Sequence, residues 1–251
     1  MYSKKAMTTK RSENMLHNKT VSVVLATYRE RDSIRKVIEQ FFETGVVDEV
    51  VVVSNNAEVG TVEEVQKTAA KLVFETEQGY GYAFRKGIQE ARGDYIVLCE
   101  PDGSFVPQEI RSFLEQAANI PVVLGSRTRG NTTMSPLRRF GNVVAAKTIQ
   151  ILFGTRSLGD IGCTYKLFHK EALRLLEPRF QRTDPLFATE LVLLVAVHRI
   201  PFKEIPVTFK ERVGTSAITS SWYKWFWLGI QVFFYTWTFW IKSRFKTYDE
   251  D

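Results

Sequence analysis

In the first half of the chain, apolar positions fall into short runs separated by amphipathic stretches. Val21–Ala26 is a short β-branched run, and Glu30–Thr44 follows with Ile34, Val37, Ile38, Phe41 and Phe42 on one helical face. The alternation then repeats. Strand-like segments at Glu49–Val53, Lys71–Phe74, Tyr95–Cys99 and Pro121–Gly125 are separated by helical stretches at Val62–Ala70, Tyr80–Ala91 and Pro107–Ala118. Strands that read as unbroken apolar runs between helices predict an α/β architecture, a doubly wound and mostly parallel sheet buried on both faces. Sheets of this kind bind ligands beyond the C-terminal ends of their strands, so the loops at 27–30, 54–57 and 100–104 are expected to face one site.

The second half predicts a helix at about Leu137–Phe153, a strand at Cys163–Phe168, a helix at Phe187–His198 and a strand at Phe202–Phe209. No linker interrupts the pattern, so residues 21–218 read as one domain. Residues 1–20 carry Lys4, Lys5, Lys10, Arg11 and Lys19 without an apolar stretch and read as a mobile basic tail with no secretory signal. Residues 219–251 form a third segment, in which all five Trp fall between Trp222 and Trp240.

The uncharged run Trp225–Ile241 would make a helix of about 26 Å, short of the ~30 Å hydrocarbon thickness. Lys242, Arg244 and Lys246 follow it directly. The pattern favours a helix lying at the surface of an anionic membrane leaflet on the cytoplasmic side. A membrane span and a buried homo-oligomer contact are the alternatives, because the apolar character runs around the whole helix and selects no face.

Composition adds direction. The aromatic content is 13% and the formal net charge +6, which favours anionic partners such as phosphates or acidic lipid. The two cysteines, Cys99 and Cys163, lack CxxC spacing and read as buried thiols of a reducing compartment. Most aromatics fall in core-like runs or in the C-terminal cluster and are not interleaved with the basic residues as a base-stacking surface requires, so nucleic acid is not an expected partner.

Candidate chemistry gathers at Glu100-Pro-Asp102. These carboxylates sit one residue apart on a turn after a strand and can converge on one hard cation, Mg²⁺ or Mn²⁺, leaving positions for phosphate oxygens. A solvated Pro-Asp-Gly turn is the plain alternative. From Glu115 to Asp160 no acid intervenes, whereas Arg127, Arg129, Arg138, Arg139, Lys147 and Arg156 do occur. Guanidinium forks suit phosphate, although a solvated basic face would read the same. Gly79, opening a helix, could present its N–H to an anion or could serve close packing. His169 and His198 lie among core-like residues and read as structural.

Taken in order, Val23–Glu30, Gly93–Gly103, Val123–Arg127, Asp160-Ile-Gly162, Ala188–Leu191 and Arg212–Ser216 make the chain resemble the family 2 glycosyltransferases, in their dolichol-phosphate or polyprenol-phosphate sugar transferase branch. The resemblance implies a GT-A fold, inverting transfer from a nucleotide-sugar donor, a divalent metal and a polyprenyl-phosphate acceptor. It places Tyr28 and Glu30 on the nucleotide, Glu100 and Asp102 on the metal, and Arg127, Arg138 and Arg212 on phosphates. The chain departs from the pattern at Ala26, at Asn55-Asn56 where an acidic pair usually recognises the base, at Glu100, at Ser104 and at Asn142.

Acceptor chemistry divides the mechanisms. A sugar hydroxyl must lose its proton during attack and needs a carboxylate base, for which Asp160 and then Glu190 are candidates. A phosphate monoester, with a second pKa near ~6, attacks without one. The expectation is an in-line displacement on a phosphate acceptor, with a hydroxyl-directed glycosyltransferase as alternative. A nucleotidyltransferase would need a Gly-rich basic loop after the first strand, which Thr27-Tyr-Arg-Glu30 is not. A non-catalytic membrane-binding protein is the remaining class.

Overall fold

In the computed structural model, residues 19–214 and 222–245 are described. The continuous apolar runs form a seven-stranded sheet: β1 Val21–Thr27, β2 Glu49–Ser54, β3 Lys71–Phe74, β4 Tyr95–Cys99, β5 Val122–Ser126, β6 Lys166–His169 and β7 Phe202–Pro206. Their spatial order is β3-β2-β1-β4-β6-β5-β7, all parallel except β6, which runs antiparallel to both β4 and β5. The doubly wound, mostly parallel α/β expectation is met.

Alternate residues of a strand point to opposite faces, so β1 divides its side chains between two cores. Val24 joins a cluster with Phe84, Ile88 and Phe187, and Val23 and Leu25 join one with Ile34, Phe41 and Phe113. The second cluster is covered by α1 (Arg31–Glu43) and α4 (Ile110–Ala117). The first is covered by α3 (Tyr80–Glu90), α5 (Pro136–Phe153) and α7 (Phe187–Val197). Between these lie two short helices, α2 (Thr61–Gln66) and α6 (Lys170–Leu176). The α3 helix packs so closely that a Cβ on Gly87 would lie 2.2 Å from Cγ1 of Val24.

Among the differences from the sequence pattern are two strand ends, one shorter helix (Thr61–Gln66 for Val62–Ala70) and one helix without a sequence counterpart. The predicted strand Cys163–Phe168 begins only at Lys166, because Cys163 and Thr164 belong to the loop entering the site. Phe202–Phe209 stops pairing as a strand at Pro206, and Phe209 continues as isolated bridges to Phe105 and Thr132. The helix α6, seven residues with only three of them buried, had no legible face.

The Trp-rich segment forms α8 (Trp222–Phe245). Opposite faces of this helix have opposite fates. Val232, Tyr235 and Phe239 pack against the core beneath, and Trp240 Nε1 donates to Leu152 O at 2.7 Å, while Tyr223, Trp227, Phe234, Trp237, Ile241 and Phe245 form an exposed stripe. The packing thus selects one face of a helix whose sequence is apolar all round. No helix among the described residues is long and apolar enough to cross a membrane. The basic tail, apart from Lys19 and Thr20, and Ser216 lie outside the described residues.

Candidate active site

The floor of the site is the turn leaving β4. Asp102 is buried, and its Oδ1 accepts the Ser104 N–H at 2.9 Å across the turn closed by Gly103, whose φ is +75°. Glu100 Oε1 accepts from Thr164 Oγ1 at 2.9 Å, and the Thr164 hydroxyl is also 3.1 Å from Tyr80 Oη. Burial, and then the charge of Asp102, push the Glu100 carboxyl up to about 7. Two neighbouring acids, Asp102 buried and Glu100 half-buried, favour a shared positive ion. The donor set is hard oxygen, as Mg²⁺ or Mn²⁺ requires. Among the described residues no group of three or more His, Cys, Asp or Glu is gathered to cage a metal. The chain therefore offers a partial ligand set that phosphate oxygens and water would complete.

Opposite the acids stands Arg127. Its Nε and Nη2 fork onto Asp160 Oδ2 and Oδ1 at 2.8 and 2.9 Å, and its backbone N–H reaches Oδ2 at 3.0 Å. The Gly162 N–H adds a fourth donor to Asp160 at 3.1 Å. Although burial alone favours the neutral acid, the Arg127 charge and hydrogen bonds hold the Asp160 carboxyl below the ordinary range. A carboxylate so engaged is a poor proton acceptor. Beneath it, Glu204 Oε1 accepts the N–H groups of Gly159 and Asp160 at 2.8 and 2.7 Å, and Oε2 pairs with Arg129 Nε at 3.0 Å. Glu204 carried no signal in the sequence, since it lies on β7 far from any motif.

The cationic tract is thus divided. Arg127 and Arg138 line the cavity, Arg129 is tied to Glu204, and Arg139 donates to the carbonyl of Thr128. Arg138 occupies the first turn of α5, whose Ser135 hydroxyl caps the Arg138 N–H.

In the loop after β1, Glu30 Oε2 accepts from the N–H groups of Tyr28 and Arg29 at 2.7 and 2.9 Å. Tyr28 is exposed, with the Arg29 guanidinium 5.0 Å from its ring centre. Arg212 Nη2 lies 3.1 Å from Glu30 Oε1, and its Nη1 lies 3.5 Å from Asp102 Oδ2. Asn55 is spent within the fold. Its amide donates to the carbonyls of Glu75 and Glu77, and its Oδ1 accepts from Gly79 N–H at 2.8 Å and from the Gln78 amide. Asn56, at φ +53°, is exposed and donates to Gln78 Oε1. The Gly79 N–H is therefore engaged by Asn55 and does not face an anion. Its glycine is required because a Cβ there would lie 2.4 Å from Thr183 O.

Glu190 is not brought to the site. It is fully buried at the start of α7, where its carboxylate accepts from the N–H groups of Gln181 and Arg182 and from Tyr235 Oη. His169 is structural, its Nε2 lying 2.8 Å from Ala117 O.

Together these groups border a cavity of about 1050 Å³. Its lining combines the charged Glu100, Asp102, Arg127, Arg138 and Arg212 with apolar residues of α5 (Leu137, Phe140, Val144) and of α8 (Phe226, Phe233, Phe234).

A mostly parallel sheet with one antiparallel strand at its centre, and an acid pair and arginines at the strand ends, defines a GT-A type architecture. The chain belongs to glycosyl transferase family 2, whose family model matches residues 22–176. Glucosyl-3-phosphoglycerate synthase of Mycobacterium tuberculosis, solved with Mn²⁺, UDP-glucose and phosphoglyceric acid, shares the fold with a TM-score of 0.72 at 15% identity, over 91% of this chain and 82% of that one. The low-salt glycan biosynthesis hexosyltransferase of Haloferax volcanii is 26% identical over 80% of this chain and 50% of its own length. The dolichyl-phosphate beta-glucosyltransferase of Saccharomyces cerevisiae is 26% identical over 57% of this chain and 48% of its own. A dolichyl-phosphate hexose transferase of Haloferax volcanii is 24% identical over 79% of this chain and 86% of its own. The chain spans about half the length of the first two.

Proposed function

We propose that the protein moves a hexose from a nucleotide-sugar donor to a polyprenyl phosphate, dolichyl or undecaprenyl, with inversion at the anomeric carbon. One observation carries this reading: the acid best placed to serve as a base, Asp160, already holds four hydrogen bonds and the charge of Arg127. The other candidate, Glu190, is enclosed by backbone and Tyr235. With both candidate bases engaged, a phosphate monoester, which needs no base, is the acceptor these two acids favour. The amphiphilic cavity supports the same acceptor, with arginines for the phosphate and the α5–α8 walls for the lipid. The dolichyl-phosphate transferases among the relatives agree with it.

Glu100 and Asp102 would hold Mg²⁺ or Mn²⁺, which when bound neutralises the leaving diphosphate. Tyr28 presents its exposed ring as a surface for the base, and Glu30 keeps that loop in shape. Arg127, fixed by Asp160, and Arg138, at the N-terminal end of the α5 dipole, attract the acceptor phosphate. The exposed stripe of α8 lies on the cytoplasmic face of a membrane, with Leu137, Phe140 and Ile151 of α5 adding a second apolar surface.

The test is a screen of labelled nucleotide sugars with the full chain, Mn²⁺ and either undecaprenyl or dolichyl phosphate. A lipid-phosphate sugar of inverted configuration is the expected product. Transfer only to free sugars or glycans, or retention of configuration, overturns the reading. Flotation with anionic liposomes tests the membrane contact. Replacing Trp227, Phe234 and Trp237 together by Ser is expected to abolish it, and undiminished flotation argues against it.

A further inference from the structure

Residues 210–214 cross the mouth of the carboxylate pair as a strap. Lys210 N–H donates to Ser104 O and Val213 N–H to Asp102 O, each at 2.8 Å, so the strap is fastened by two backbone bonds to the turn that carries Asp102. From it, the Arg212 guanidinium reaches in two directions, 3.1 Å to Glu30 Oε1 and 3.5 Å to Asp102 Oδ2. Glu30 in turn holds the first loop through its other oxygen. One side chain therefore joins the strap, the nucleotide loop and an acid expected to bind metal.

The two arms are unequal. The contact with Glu30 is a hydrogen-bonded ion pair, and that with Asp102 is looser. Arg212 Nε is buried with no hydrogen-bond partner. A buried donor without an acceptor is costly, and it marks a position to which an incoming oxyanion can add. A guanidinium and a divalent cation both require the negative charge of Asp102, and two positive ions on one carboxylate repel one another.

We propose that Arg212 is a built-in occupant of the cation position, holding the 210–214 strap shut across Glu30 and Asp102 until a divalent cation displaces it from Asp102 and its guanidinium turns to the phosphates of the donor. The inference rests on the reading of Glu100 and Asp102 as metal ligands. It gives the site an order of assembly: the cation enters first and loosens the strap, and the nucleotide sugar then finds Arg212 released.

The test is Mn²⁺ binding to the full chain without donor, followed by the electron paramagnetic resonance of free Mn²⁺. Arg212→Met is expected to bind Mn²⁺ about three- to tenfold tighter than wild type, the effect of removing one half-exposed ion pair. Arg212→Lys, which keeps the charge but not the fork, is expected to tighten Mn²⁺ binding less than Arg212→Met. Equal or weaker binding by Arg212→Met overturns the proposal, as does equal tightening in Arg212→Lys. No binding by any of the proteins overturns the metal reading and this inference with it. Hydrogen exchange of wild type supplies a readout independent of the variants: Mn²⁺ alone is expected to speed exchange at the Lys210 and Val213 amides. Unchanged or slower exchange there overturns the displacement.

Discussion

The Tyr235 hydroxyl of α8 donates to Glu190 Oε1 at 2.8 Å, and the Arg182 guanidinium lies over the Tyr235 ring, 5.2 Å from its centre. The C-terminal helix is thus keyed into the same buried carboxylate that fixes the 181–182 backbone. Tyr235→Phe removes one hydrogen bond to a charged, buried acceptor, at a cost of about 1.5–3 kcal/mol. For a chain of this size the melting temperature should fall by roughly 3–10 °C, measurable by calorimetry.

Asp160→Asn separates a positioning role from a basic one. Exchange of the carboxylate for an amide breaks the fork with Arg127 within a buried pair, a loss of about 3 kcal/mol or more. Activity should fall by roughly 10²-fold, with the acidic limb of the kcat/KM profile unmoved. If Asp160 were the base, that limb would vanish in the variant, and a full pH profile distinguishes the two.

Lys166 lies fully buried on β6, donating to the carbonyl of Cys163, and burial lowers its ammonium to about 8. Between pH 8 and the ordinary lysine value the unfolded chain binds the extra proton, so stability rises with pH across that window. At neutral pH the buried charge costs the fold about 2–3 kcal/mol. Lys166→Met should therefore be the more stable protein at pH 7, with an advantage that shrinks toward pH 10. Chemical denaturation at both pH values checks the sign.

Gly87→Ala should destabilise by about 1–3 kcal/mol through overpacking, since the new methyl meets Val24 at 2.2 Å and Val53 at 3.0 Å. The companion change Val24→Ala should recover part of the loss, which a double-mutant cycle measures.

Much of the fold was legible because buried parallel strands announce themselves: Val21–Ala26 is apolar but for Ser22, Tyr95–Cys99 is apolar throughout, and each faces two cores. The short helix Lys170–Leu176 was not, having too few buried positions to show a period. In the site, Glu100 and Asp102 stood out because a turn brings near neighbours together. Partners distant in sequence were invisible. The Arg127–Asp160 fork spans 33 residues, and Glu204 reaches Gly159 across 45. A tract that reads as freely cationic from residue order is thus partly neutralised in space. Asn55 shows the opposite case, a residue at a recognised position whose hydrogen bonds are all used at home.

The helix α7 is apolar on every side and buried along nearly its whole length, with α8 among the elements packed against it. Cutting the chain before Trp222 to obtain a better-behaved enzyme would remove one greasy surface and unroof another, along with a wall of the cavity. The helix proposed to meet the lipid is also a lid on the protein's own interior. A soluble version of this transferase is better sought by recolouring the outer stripe of α8 with polar residues than by amputation.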